Sequence, residues 1–266
     1  MHWHEVALGY VSYLAVVSIA RRDFAAARAP LFIAAGVAWG AQAVVVVFGR
    51  AELSPALEVV LPSIVLLTGY WLSGLFFVRP DPRIERWLLS VDERVLTRPG
   101  VLSWFQQAPR LVTEYFELAY LLVYLAVPAG AVTLALGGHT DRIGRFWTIV
   151  LVAEFACYGM LPWIQTRPPR VFDTWAGAGP HTPIRRFNHA IVNRASIQAN
   201  TVPSGHAAGA LATALAVGSS MPAAGAAFLV LAVCIAAATV LGRYHYVIDT
   251  VLGAIVALAA WLVVSG

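Results

Sequence analysis

The 266-residue chain is 59% hydrophobic and only 12% charged, where a typical soluble domain carries about 25% charged residues. Its 18 basic residues are all arginine, set against 14 acids for a formal charge of +4. This composition excludes an ordinary cytosolic enzyme, a disordered chain, a disulfide scaffold and any mechanism that needs a lysine, and it leaves an integral membrane protein.

Apolar windows of about 20 residues, enough to cross a hydrocarbon core of roughly 30 Å, recur along the chain. Eight spans are expected, near residues 6–20, 30–48, 54–78, 111–136, 143–165, 204–219, 223–242 and 245–264. Continuous apolarity with Gly, Pro and Ala inside, and no alternating ten-residue strands, predicts an all-α polytopic membrane helix bundle. Residues 1–50 read as two additional N-terminal transmembrane helices, and 51–266 as the core of the same continuous membrane domain. The start, Met1-His2-Trp3-His4-Glu5, has no basic n-region and no cleavage site, so the first helix is expected to be retained. Cys157 and Cys234 fall inside apolar spans, where they are expected to act as small hydrophobes.

Between the third and fourth spans, residues 82–95 place Ile84, Leu88, Val91 and Val95 on one helical face and charges on the other, the pattern of an interfacial amphipathic helix. Counting loops by side, fifteen of the 18 arginines lie on one face of an eight-span bundle, in residues 21–29, 79–110 and 166–203 and at position 243. The positive-inside rule would make that face cytoplasmic.

Three motifs fall on this arginine-rich face. The first, Thr166-Arg167-Pro168-Pro169-Arg170, stops the fifth span with two prolines and fixes Arg167 at the surface. Its planar guanidinium suits phosphate oxygens. The second, Val202-Pro203-Ser204-Gly205-His206, opens the sixth span. Ser204 is placed as an N-cap, the free amides of the first turn form an anion site, Gly205 clears the approach, and His206 can give or take a proton beside it. In the third, Arg243-Tyr244-His245-Tyr246-Val247-Ile248-Asp249, His245 and Asp249 are four apart on one helical face. An aspartate accepting from the imidazole leaves the other ring nitrogen unprotonated as a nucleophile. An arginine fork, a helix-end amide nest, a candidate acid and an oriented nucleophile are the parts phosphoryl transfer needs. No carboxylate cluster for a two-metal site accompanies them, so the expected route is metal-free, through a phosphohistidine.

With these motifs the chain resembles the type-2 phosphatidic acid phosphatase superfamily, whose signatures are Lys-x6-Arg-Pro, Pro-Ser-Gly-His and Arg-x5-His-x3-Asp. Arg167-Pro168, Pro203-Ser204-Gly205-His206, and His245 with Asp249 match in order, over about residues 111–264. The resemblance implies a six-helix phosphatase-like core, His245 as nucleophile, Asp249 as its orienter and His206 as general acid. It implies Arg167, Ser204 and Gly205 as phosphate ligands. Two family cations are absent: Met160 stands where the first-motif lysine belongs and Thr239 where the third-motif arginine belongs. Arg170 and Arg243 are the nearest replacements and join the expected phosphate-binding set. The implied activity is hydrolysis of a lipid phosphate or diphosphate in a bacterial plasma membrane. The implied partners are the lipid substrate and the bilayer, with no nucleic acid, cofactor or metal. A head-group phosphotransferase like the inositol phosphorylceramide synthases would use the same site, and a non-catalytic lipid-binding or transport protein is the alternative of another class.

Of the other polar residues, Glu114, Glu117 and Glu154 are expected to make interhelical hydrogen bonds. His181 and His189 lie in the 166–203 loop, which is long enough for a lid or head-group selector. His2, His4 and His139 carry no assignment.

Overall fold

The computed structural model describes residues 2–48, 54–172 and 182–266, and among these described residues apolar windows closed by caps and prolines fold into eleven α-helices. They are α1 (Trp3–Ala20), α2 (Arg28–Phe48), α3 (Pro55–Gly74), α4 (Pro82–Asp92), α5 (Val101–Gln107), α6 (Arg110–Leu136), α7 (Ile143–Tyr158), α8 (Pro183–Ala195), α9 (Gly205–Gly218), α10 (Pro222–Leu241) and α11 (Val247–Ser265). No strand occurs among the described residues.

Among the described residues, six stretches are long and apolar enough to cross a membrane: Trp3–Ala20, Arg22–Val44, Ala56–Gly74, Arg110–Leu136, Pro222–Leu241 and Val247–Ser265. The other two expected spans are shorter than their apolarity. At 16 and 14 residues, α7 and α9 reach about 24 and 21 Å at the helical rise. Gly159 and Pro162 end α7 before the apolar run does, and Gly218 ends α9. Both helices are interior. α7 packs on α1, α3, α9 and α11, and α9 on α6, α7, α10 and α11. Trp147, Val150, Leu151 and Ala153 of α7 and Ala208 and Ala212 of α9 have no exposed surface. A helix wrapped by others need not match the bilayer's thickness, and alanine and glycine on α9 let its neighbours approach closely. Tyr10, Leu14 and Val17 of α1 join the same core as α7, while Val46, Val47, Leu111, Leu136 and Val263 point outward.

The amphipathic segment forms as α4, capped by Asp81, whose carboxylate accepts from the amides of Arg83 (2.7 Å) and Ile84 (3.4 Å). It departs from the expected pattern twice. A π-turn over Glu93–Thr97 slips the helical phase by one residue, so Leu96 is buried where Val95 was expected and Val95 is exposed. The charges do not all face outward either: Glu85 and Asp92 are buried at 2% and 1% exposure. Their partners lie in the site.

Candidate active site

Backbone hydrogen bonds stitch the three motifs together. The segment after α7 bridges the segment before α9, with the Asn200 amide donating to the Thr166 carbonyl at 2.8 Å. The Arg170 amide donates to the Arg243 carbonyl (3.0 Å), and the Ser204 amide to the Asp249 carbonyl (2.9 Å). Tyr246, fully buried, donates its hydroxyl to the Arg167 carbonyl at 3.0 Å. Residues far apart in sequence thus meet where α9 and α11 begin.

Ser204 caps α9 as expected, its Oγ accepting from the Ala207 amide at 3.4 Å. His206, in the first turn, points its Nδ1 at the Nε2 of His245, 3.4 Å away. On its other side, His245 Nδ1 faces Asp249 Oδ2 at 3.6 Å, a few tenths of an ångström longer than a hydrogen bond. Asp249 Oδ2 is held by the Asn200 side chain (2.8 Å) and the Tyr246 amide (3.0 Å). Four buried polar atoms here have no partner: His206 Nε2, His245 Nδ1, Asp249 Oδ1 and Asn200 Oδ1. Buried unsatisfied groups are uncommon, and a cluster of them marks a place kept for chemistry. Burial first, and then the charge of Arg170, lower the His245 imidazole to about 3, so it is neutral at physiological pH.

The three candidate arginines are not equivalent. Arg167 is bound by Glu85, donating Nε to Oε1 (3.0 Å) and Nη2 to Oε2 (2.8 Å), and its amide also donates to Oε1 (2.9 Å). Burial would raise the Glu85 carboxyl, but the hydrogen bonds and charge of Arg167 outweigh it, and the net shift is downward. Arg243 sits in the left-handed region, φ 62°, uncommon for a residue with a Cβ, and its Nη1 donates to Asp92. Asp92 also accepts from the Val247 amide at 3.0 Å. Its carboxyl is raised, because burial exceeds the pull of Arg243. Arg170 pairs with no carboxylate among the described residues. Its guanidinium lies 5.8 Å over the Tyr244 ring and close enough to both histidines for its charge to disfavour their protonation.

Aromatic rings wall the site. Tyr244 stacks on Tyr120 at 3.7 Å, Tyr120 stacks on His206 at 5.3 Å, and Tyr124 meets His206 edge-on. Gly205 also has a packing role: a Cβ on it would meet Tyr158 Cε1 at 2.5 Å and Glu154 Oε2 at 2.7 Å, so the glycine lets α7 close on α9. Gly209, one turn on, makes the same close approach to Glu154. Glu154 Oε2 has no hydrogen-bond partner, and Glu114 pairs along its own helix with Arg110 at 3.5 Å, so neither makes the expected interhelical bond through those atoms. Glu117 does. It accepts from Asn188 (2.8 Å) and Arg185 (3.4 Å) of α8 and from the Tyr244 hydroxyl (2.8 Å), tying the 166–203 loop to the third motif. His189 contacts Tyr244 edge-on, and His181 lies outside the described residues. Cys157 and Cys234 are both free thiols. An apolar groove of about 250 Å³ lies between α6 and α10, lined by Leu118, Leu122, Val230 and Leu231, and none of the candidate site residues lines it.

Glu85, Asp92, Asn200 and Tyr120 are absent from the sequence-level site. The spacing of Glu85 and Asp92, seven residues on a helix whose other charges are outward, was their available signal. Asn200 had only its position shortly before Pro-Ser-Gly-His.

No curated protein and no solved structure matches the chain. The sequence profile of the PAP2 superfamily matches residues 86–263, from α4 to α11, the stretch that holds both histidines, Asp249, the three arginines and Asp92, and that begins one residue after Glu85. With two-thirds of its length under that profile, the all-helical membrane chain belongs to the PAP2 superfamily.

Proposed function

We propose that the protein is a membrane-embedded phosphatase that cleaves a lipid phosphate ester through a phosphohistidine on His245. The observation that carries this reading is the line of groups Asp249, His245 and His206. With Asp249 facing Nδ1, the carboxylate favours the tautomer that protonates Nδ1 and leaves the Nε2 lone pair free. That lone pair points at His206. A phosphorus in line between the histidines needs roughly 3–3.5 Å to the nucleophile and a leaving oxygen within hydrogen-bond reach of the acid. The 3.4 Å contact must therefore open when phosphate enters.

The negative charge of the entering phosphate offsets the burial and the Arg170 charge that disfavour protonation of His206, so His206 takes up a proton as the substrate binds. His245 Nε2 attacks phosphorus, a nitrogen–phosphorus bond forms, and the ester oxygen leaves with that proton from His206, which becomes neutral. Water, deprotonated by His206, then attacks the phosphohistidine. The nitrogen–phosphorus bond breaks, phosphate departs, and both histidines return to their starting forms. Arg170 and the amides at the start of α9, with Ser204 and Gly205, hold charge on the equatorial oxygens. The bilayer supplies the substrate, and a bacterial plasma membrane is the proposed setting. In the same site an alcohol could replace water, giving head-group transfer.

The test is product release from a panel of lipid phosphates by detergent-purified protein, with and without an alcohol acceptor. Turnover abolished in His245→Ala and His206→Ala supports the proposal. Turnover only with the alcohol would reassign the protein to head-group transfer, and no turnover of any substrate would favour a binding or transport protein.

A further inference from the structure

Glu85 and Asp92 belong to none of the three motifs, yet α4 carries both into the site. Seven residues apart, they stand two turns from one another on the same helical face. Charged side chains are almost never fully buried unless paired, and each of these holds an arginine from a different motif. Glu85 takes Arg167 through two side-chain bonds, and Asp92 takes Arg243. The pairs differ from Arg170, which faces the two histidines with no carboxylate beside it among the described residues.

This pairing sets the charge that the site offers a substrate. A terminal phosphate monoester carries about −1.5 to −2 at pH 7, whereas a phosphodiester has one ionised oxygen. Surplus negative charge in a buried site is costly unless a cation meets it. Arg167 and Arg243 keep N–H groups that Glu85 and Asp92 do not use, since a guanidinium has five. They can still direct phosphate oxygens, but their charge is already cancelled. The Asp249 carboxylate beside the neutral His245 is offset by the proton that His206 carries as the acid, and Arg170 remains to balance a single negative charge.

We infer that Glu85 and Asp92 are specificity-determining residues, which by neutralising Arg167 and Arg243 tune the site to a lipid phosphoester with one negative charge, a phosphodiester head group, over a dianionic terminal phosphate. The inference rests on the phosphohistidine reading above. On a diester, His245 Nε2 forms its bond to phosphorus while one ester phosphorus–oxygen bond breaks and the leaving alcohol takes the proton of His206. Water or a second alcohol then gives its proton to His206 and displaces His245.

The experiment compares kcat/KM for phosphatidate with that for diacylglycerol diesters bearing choline, ethanolamine, glycerol or inositol, in the same micelles between pH 5 and 8. It uses the full-length protein and its Glu85→Gln, Glu85→Asp and His245→Ala variants. The wild type should prefer a diester at pH 7.5, and Glu85→Gln should shift the ratio toward phosphatidate by about tenfold, with Glu85→Asp restoring it. General structural damage lowers both rates and leaves the ratio alone. A readout that needs no substitution is the wild-type ratio against pH. Phosphatidate should gain on the diester as pH falls through about 6, where the monoester recovers its second proton. A wild type that prefers phosphatidate, or a ratio unmoved by both pH and Glu85→Gln, overturns the inference. If His245→Ala still abolishes turnover in that case, the phosphohistidine reading stands. Turnover that survives His245→Ala, or its absence with every lipid, removes both.

Discussion

The two sides of the site are built differently. On the α4 side, Arg167 and Arg243 are locked to buried carboxylates, and even a left-handed backbone at Arg243 is held in place. On the α6–α9 side, Arg170 and the two histidines lie among stacked tyrosines, with several polar atoms left without partners. A satisfied network is rigid and costly to break, while an unsatisfied one keeps its capacity for a ligand. The difference teaches that an arginine in a phosphate motif is not by that fact a phosphate cation: its charge must also be free of a carboxylate.

The largest effect should come from the unsatisfied side. His245→Ala should lower kcat on the order of 10⁵-fold, as loss of a covalent nucleophile does, with unchanged helix content by circular dichroism; residual turnover near wild type would remove the histidine from the reaction. Asp249→Asn should cost on the order of 10³-fold through the wrong imidazole tautomer, measured as kcat in a variant that elutes as the wild type does. The arginines then divide the two sides. Arg170→Gln should lower kcat/KM about 100-fold with little change in Tm, because it breaks no ion pair among the described residues. Arg167→Gln should lower Tm by leaving the Glu85 charge buried and unpaired, with the smaller loss in kcat/KM. Equal effects of the two substitutions would erase the distinction.

A smaller loss should follow Glu117→Gln, which weakens the tie between α8, α6 and Tyr244. We expect a cost of about 2–3 kcal/mol in unfolding, read by thermal denaturation in detergent. The smallest effect is on pH dependence. Because burial and Arg170 hold the His245 pKa below its ordinary 6.5, the neutral nucleophile persists as pH falls through 6.5. The acid limb of kcat/KM should therefore lie below that value. Arg170→Gln should move the limb upward only slightly, since burial is the larger cause, and a limb at or above 6.5 would mean that the imidazole is not desolvated as described.

Much of this was legible in the residues. Pro-Ser-Gly-His, the His245–Asp249 spacing and Arg167-Pro168 carry their chemistry locally, and the structure draws the three segments together. Their partners were not legible, because burial of Glu85 and Asp92 is decided by what α4 lands on. In isolation the segment reads as an amphipathic helix with every charge in water. Nor could hydropathy tell α7 and α9 from their longer neighbours, since apolarity is the same whether a helix faces lipid or other helices.

By itself the sequence determined the class of the protein, a helical membrane bundle, and the candidate site residues, since both follow from local composition and spacing. Only the tertiary structure decided which arginine keeps its charge for a ligand. An ion pair is made between segments: Glu85 is 82 residues from Arg167 and Asp92 is 151 from Arg243, so no local pattern could show that two of the three candidate cations are already answered.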